Sequence, residues 1–426
     1  MDFTQYTLMH KNIPTIDILI NDNFGYIEKT EPVLSAEHLP IGIPCKDNMV
    51  NEYELNSWWS GRSIPASREG INQLLYAMNI INTKNLLTRC MGLSLSDQYW
   101  IKPAGSDIEW SEVNFFENPF SEDMGNLLFG EIKSDPSLNL CSPDNTSDGC
   151  LKKRWKIFDD KRCLVKSGTE PYHQQVFNEI IASKIMDRLD IQHVPYSLIW
   201  QKENPYSVCE DFITPETELI SANQVIKSQT KPNNFNQYMH YVNLCEEHGI
   251  KDIKHSLDEM LVLDYIIANE DRHLNNFGVI RNADTLEWIG AAPIFDSGTS
   301  LGYSKRVNRI ATVEECKPFK KTHTEQLKLV TSFDWIDFSK LNGIDDEISA
   351  FLSDEKIEPY IDENRRNAIS AYVSERIGRL ERFALARAKS VTVSTDASKM
   401  NKRCAKCEAV LPNIAPPEQP TDCFKK

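Results

Sequence analysis

No apolar run in this 426-residue chain reaches the length needed to span a bilayer. A membrane-spanning protein is therefore not expected. The opening stretch MDFTQYTLMHKNIPTID lacks a basic start, an apolar centre and a small-residue cleavage site, so no secretory leader is expected either. Basic charge is in short supply: 47 Lys and Arg face 62 Asp and Glu, a net charge of −15. A nucleic-acid footprint needs a basic face, so direct nucleic-acid binding is not expected. A local cationic patch around a small anion remains open. The cysteines lack framework spacing, and their number, 11, is odd. That points to free thiols in a reducing, cytoplasmic setting. No internal repeat occurs.

What is present is ordinary globular material, 41% hydrophobic and 26% charged, long enough for two or three domains. Residues 1–50 hold short pieces, TIDILI, FGYIEK and HLPIGIP, that read as strands with turns. A helical spacing follows at Ile71, Leu74, Leu75 and Met78, then at Leu86 and Leu87. KKRWKIF and RCLVKSG form a strand pair across a short link. Val176, Ile180, Ile181, Ile185 and Leu189 predict a one-sided helix. VPYSLIW and YSVCEDFI read as further strands, and beyond about Thr214 the pattern becomes helical, most clearly over 256–268 and 364–389. The expected class is α+β and bilobal, strand-rich first and helical second. The expected divisions are a small β-rich part (1–50), the rest of the N-terminal lobe (51–213), a helical C-terminal lobe (214–390) and a flexible tail (391–426).

One stretch is too rich in chemistry for a plain loop. NEDRHLNNFG places Asn276 five residues after Asp271, and PIFDSGTSL places Asp296 twenty residues further on. Phosphoryl transfer needs a carboxylate to orient the attacking hydroxyl, and an amide oxygen with a second carboxylate to hold Mg²⁺ against phosphates. Upstream, Lys166 in RCLVKSG can reach the phosphates of ATP, and Glu179 in VFNEIIASK can hold that lysine. DNTSDGCLKK, with Ser147 and Gly149, is a loose match to a phosphate-covering loop. The connector backbone from Glu210 to Phe212 is a candidate for binding the base. Each residue alone has an ordinary reading: a turn former, a buried histidine, a solvated lysine. The ordered set favours function for Asp271, Asn276, Asp296 and Lys166.

LDYIIANEDRHLNNFG followed by PIFDSGTSL resembles the catalytic core of HipA-like serine/threonine kinases, bacterial enzymes known from toxin–antitoxin modules. The resemblance extends to LPIGIP, to WWSGRSIPASR (Trp58 to Arg68) and to the lysine strand and its helix, covering most of residues 1–390. It implies a protein-kinase-like fold, ATP and Mg²⁺ as cofactors, a protein substrate with a Ser or Thr acceptor, and an antitoxin-type partner. Asp271 would be the catalytic base, Asn276 and Asp296 the metal ligands, and Lys166 the phosphate contact paired with Glu179. Arg272 and His273 would shape the catalytic loop. Such kinases are silenced by autophosphorylation in the phosphate loop; Thr146 and Ser147 lie in that region, with no site assigned.

Asp-Arg-His-x-x-Asn also resembles the loop of phosphatidylinositol kinases, so a lipid kinase is an alternative, as is a catalytically silent nucleotide-binding protein. In the tail, Cys404, Cys407 and Cys423 are three thiols without a fourth ligand, half of a structural zinc site.

Overall fold

The computed structural model describes residues 3–135 and 137–407, with side chains as far as 389. Met1–Ile377 forms one compact unit and Gly378–Lys426 a second. The chain opens on three antiparallel strands, β1 (Phe3–His10), β2 (Ile13–Asn21) and β3 (Ile27–Val33). Ile16, Ile18 and Ile20 alternate inward on β2, as period-two β-branched residues should. They pack on Leu55 and Trp59 of helix α1 (Glu52–Gly61). HLPIGIP does not form a strand: a 3-10 turn covers Ala36–His38, and Pro40 and Pro44 lack the N–H a ladder needs. A small ribbon, β4 (Cys45–Lys46) and β5 (Met49–Val50), follows.

The expected helical run from Ile71 breaks in two, α2 (Ile71–Ala77) and α3 (Thr83–Arg89). Asn79 takes a positive φ of 51°, and the Asn82 side chain caps α3 by accepting from the Lys84 N–H. Strand β6 (Tyr99–Pro103) then returns to β1, giving the order β3-β2-β1-β6. Short helices α4 (Trp110–Val113) and α5 (Asp123–Leu128) lead to the second sheet.

That sheet is built from β7 (Lys153–Phe158), β8 (Lys161–Lys166), β9 (Ser197–Gln201) and β10 (Asn204–Glu210), in the order β7-β8-β10-β9. Asp159 and Asp160, both at positive φ, make the two-residue turn between β7 and β8. Helix α6 (Gln174–Leu189) joins β8 to β9. It is not one-sided: Gln174, Gln175, Asn178, Glu179 and Ser183 are buried along with its apolar residues. It is enclosed because the turn after Phe295 packs on its polar side.

The second half is helical, with α7 (Ala222–Lys227), α8 (Gln237–Glu247), α9 (Ile253–Ile266), α10 (His323–Leu327), α11 (Ile344–Leu352) and α12 (Glu363–Cys407). It also contains an unexpected antiparallel sheet, β11 (Thr217–Ser221), β12 (Gly278–Asn282) and β13 (Trp288–Ala291). The expected tail from 391 is helical backbone as far as Cys407; Cys423 and the remainder lie outside the described residues, as do the Cys404 and Cys407 side chains.

Candidate functional site

Lys166 ends β8, and its ammonium is enclosed by three oxygens. It donates to Glu179 Oε1 at 3.0 Å, to the Tyr196 hydroxyl at 3.0 Å and to Asp296 Oδ1 at 2.8 Å. Burial opposes its charge, but Asp296 and Glu179 outweigh this and hold the lysine cationic, well above its ordinary range. Glu179, thirteen residues on, is buried on α6 and uses its other oxygen to accept the Ser297 N–H at 2.9 Å. One carboxylate therefore fixes both the lysine and the turn that carries Asp296.

That turn is tied to α6 at further points. Asn178 donates to the carbonyls of Gly298 and Ser300 at 3.0 and 2.7 Å. Gly298 comes so close to the helix that a Cβ there would stand 2.8 Å from the Gln175 carbonyl oxygen. Asp296 itself has φ +57°, outside any strand. Its surroundings disfavour charge, yet Lys166, Lys153 and Arg272 hold the carboxyl well below the usual carboxylate range. Asp296 is thus a fixed anion, a third exposed to the cleft.

Helix α9, buried without a break from Met260 to Ile266, delivers the catalytic-loop candidate. Asn269 turns the chain by accepting the Asp271 N–H at 3.0 Å. Arg272 points away from the cleft and is fully buried. It donates to both oxygens of Asp264, to the carbonyls of Asn276 and Phe295 and to Ser297 Oγ. It thereby joins the Asp271 loop to the Asp296 turn. Asn276 Nδ2 donates to the Asp271 carbonyl at 3.1 Å, which leaves Oδ1 to offer to a cation. His273 Nδ1 accepts the Asn275 N–H at 3.2 Å, a turn contact. The Asp271 carboxylate is half-exposed and accepts from Lys317 Nζ at 2.7 Å.

The phosphate-loop candidate is held from below. Buried Arg68 donates to the carbonyls of Ser147, Asp148 and Gly149 at 2.7, 2.9 and 2.6 Å. Gly149 has φ +91°, which a side chain would strain. Lys153 reaches beneath this loop, its Nζ 3.0 Å from where a Cβ on Gly149 would sit. Burial pulls the Lys153 pKa down to about 8.

A cavity of about 1180 Å³ brings these parts together, with Lys153, Lys166, Asp271, His273, Asn276 and Asp296 in its wall. Ser147, Gly149, Glu210 and Phe212 also line it. The Glu210 carboxylate is itself turned outward to Lys161, at 2.7 Å, while Phe212 packs on Phe295 with ring centroids 5.4 Å apart. Glu179 and Arg272 stand behind the wall as braces. Sequence reasoning missed Lys153, Arg68, Tyr196 and Lys317. For Lys153 the signal existed: a two-residue turn at Asp159–Asp160 sets Lys153 directly opposite Lys166, so both side chains leave the same face.

Among the described residues no group of three His, Cys, Asp or Glu side chains could hold a metal. Asp296 with Asn276 is a two-donor, hard-oxygen set of the kind Mg²⁺ takes when phosphates and water complete its shell. The residues fit that ion.

The architecture is mixed α/β, strand-rich first and helical second, and Lys153, Lys166, Asp271 and Asp296 line one cleft. The chain belongs to the family described as HipA-like C-terminal domain, which matches residues 150–372. It is similar to the serine/threonine-protein kinase CtkA of Helicobacter pylori strain J99, 31% identical over 139 residues. Those residues are 30% of this chain and 42% of that kinase, so less than half of the relative's length is spanned. Two solved structures are also similar. The crystal structure of the H. pylori proinflammatory kinase CtkA has a TM-score of 0.44 at 20% identity, over 57% of this chain and 92% of that one. The Shewanella oneidensis MR-1 HipA in complex with HipB and operator DNA has a TM-score of 0.48 at 12% identity, over 88% and 97%.

Proposed function

We propose that this chain is an ATP-dependent kinase that transfers the γ-phosphoryl group to a Ser or Thr hydroxyl of a protein. The carrying observation is Lys166, clamped between Glu179 and Asp296 on the cleft that also presents Asp271 and Asn276. Lys166 and Lys153 supply positive charge for phosphates, and the loop of Ser147 and Gly149 lies above them. Asn276 Oδ1 and Asp296 would hold Mg²⁺, whose bound charge neutralises phosphate oxygens. Asp271 orients the acceptor hydroxyl and takes its proton. Glu179 and Arg272 keep the charged groups in register. The connector of Glu210 and Phe212 borders the base. The division into lobes near 213, a cytoplasmic setting, autophosphorylation and an antitoxin-type partner belong to the same proposal. No helix among the described residues is long and apolar enough to cross a membrane.

The test incubates the full chain with Mg²⁺ and γ-labelled ATP, in parallel with a generic protein and with phosphoinositide vesicles, followed by mass spectrometry of the chain itself. Label on protein hydroxyls is expected. Labelled lipid with unlabelled protein would establish the lipid-kinase alternative. ATP bound without transfer to anything would establish the silent one.

Lys153 adds a pH signature. Its ammonium is present below pH about 8 and lost above it. Phosphate attraction needs the protonated form, so ATP affinity should decline above pH 8, by at most tenfold per unit. Lys153→Met should weaken binding at pH 7 by roughly tenfold or more, the scale of a charge-assisted hydrogen bond, and flatten that decline. Calorimetric titration of ATP at several pH values checks both. A wild-type slope retained in the variant would remove Lys153 from the phosphate site.

A further inference from the structure

Cys90 follows α3 directly, and Cys141 lies on the segment that enters the phosphate-facing loop. Both are free thiols, and their sulfurs are 3.1 Å apart. A bond would need them only about 1 Å closer. Their surroundings differ. Cys90 is fully buried and accepts the Ser142 N–H at 3.0 Å and Asn145 Nδ2 at 3.3 Å. Cys141 is half-buried and reachable, and it accepts the Cys90 thiol hydrogen. That hydrogen bond lowers the Cys141 pKa, while burial pushes Cys90 well up. The pair therefore has a thiolate-forming member within reach of solution and a resolving member behind it.

The groups bound to Cys90 are the root of the loop. Asn145 accepts the Ile64 N–H through its carbonyl at 2.7 Å, and Asp144 accepts the Trp155 N–H on β7 at 2.7 Å. Thr146 Oγ1 donates to the Leu93 carbonyl at 3.1 Å, and Ser147 comes next. Anything that moves the Cys90 sulfur moves this anchorage.

We propose that Cys90 and Cys141 are a disulfide-forming pair, closed by a hydroperoxide, and that closure shifts the phosphate-facing loop. The Cys141 thiolate attacks one peroxide oxygen. An S–O bond forms, the O–O bond breaks, and hydroxide leaves with the electron pair, becoming water with the proton that the Cys141 thiol released on ionising. The Cys90 sulfur then attacks the Cys141 sulfenic sulfur: the S–S bond forms, the S–O bond breaks, and the departing hydroxide takes up the Cys90 proton as water. Two thiols are oxidised to one disulfide, and one hydrogen peroxide is reduced to two waters. Drawing the sulfurs together displaces the acceptor that Ser142 and Asn145 share, so the loop above Lys153 and Lys166 is re-set.

The bond is independent of the kinase reading; its effect on the loop rests on it. The experiment treats the full chain with a stoichiometric amount of hydrogen peroxide, blocks remaining thiols and maps peptides without reduction. A Cys90–Cys141 linkage is expected, absent from Cys141→Ser and retained in Cys150→Ser, where the other cysteine of this loop is removed. Cys141 recovered as a free thiol, as an unlinked oxide or joined to Cys150 would overturn the pair. ATP affinity is measured on the reduced and linked chains, with a loss of roughly fivefold or more expected, the usual lower range of coupling between sites. Linkage with unchanged affinity would overturn control of the loop. No ATP binding by the reduced chain would be a failure of the kinase reading, separate from the linkage seen by mass.

Discussion

Asp271→Asn is expected to lower kcat by on the order of 10²–10⁴-fold, the range a positioned general base contributes, while ATP affinity stays at its wild-type value. The geometry explains the split. The Asp271 carboxylate does not share in the Lys166–Glu179–Asp296 cluster; it faces the mouth of the cleft and touches only Lys317 among the described ion pairs. The charges proposed to bind phosphate therefore survive the substitution, and what disappears is the group proposed to receive the hydroxyl proton. Little stability should go with it. The Lys317–Asp271 side chains are 55% and 40% exposed, and such a pair contributes roughly 0–1 kcal/mol. The loop does not depend on the carboxylate either, since Asn269 and Asn276 bind the Asp271 backbone. Steady-state phosphotransfer with a parallel ATP titration checks the prediction. Undiminished turnover in a folded Asp271→Asn chain would dismiss Asp271 as base, and with it the mechanism.

The parts of this site that were legible in the sequence are those whose chemistry is local. Asp271 and Asn276 share one loop, and Lys166 and Glu179 lie thirteen residues apart on a strand and the next helix. Their spacing implies their meeting. Residues that act through distant contacts were not legible. Arg68 reaches Ser147, Asp148 and Gly149 across some eighty positions, and Lys317 reaches Asp271 across 46. Nothing in the local pattern of either lysine or arginine marks such a partner. The same holds for the folds. Hairpins such as β7–β8 follow from their turn residues. The β1–β6 and β11–β12 pairs join strands far apart in the chain, and β11 is too short to declare itself against the helices around it. Where local signals did exist and went against the apolar pattern, they won: Asn79 and Asn82 split the helix after Ile71, and the prolines of HLPIGIP removed a strand.

Arg272 is the residue for which sequence spacing was least informative, because Asp-Arg-His marks two kinds of kinase loop. The structure gives the arginine a mechanical role, and that role has a large expected effect. Arg272→Met should destabilise the chain by about 3–5 kcal/mol, the cost of removing one partner of a buried ion pair. Asp264 is itself buried, and without the guanidinium its carboxylate would keep, among the described residues, only the Asn269 amide at 2.9 Å. The carbonyls of Asn276 and Phe295 and the Ser297 hydroxyl would lose their donor together. The Asp271 loop and the Asp296 turn would then no longer be held to a common brace, so kcat should collapse as well. Arg272→Lys should not rescue it, because an ammonium cannot span these acceptors as a planar fork does. A second substitution separates stability from alignment. In Arg272→Met with Asp264→Leu, the unpaired buried charge is gone, and the denaturation midpoint should recover towards wild type. Turnover should stay low, because the brace between loop and turn is still missing. If the double variant regained both stability and turnover, Arg272 would be only a neutraliser of Asp264. If the single variant kept wild-type stability, the buried pair would not be what holds the catalytic loop.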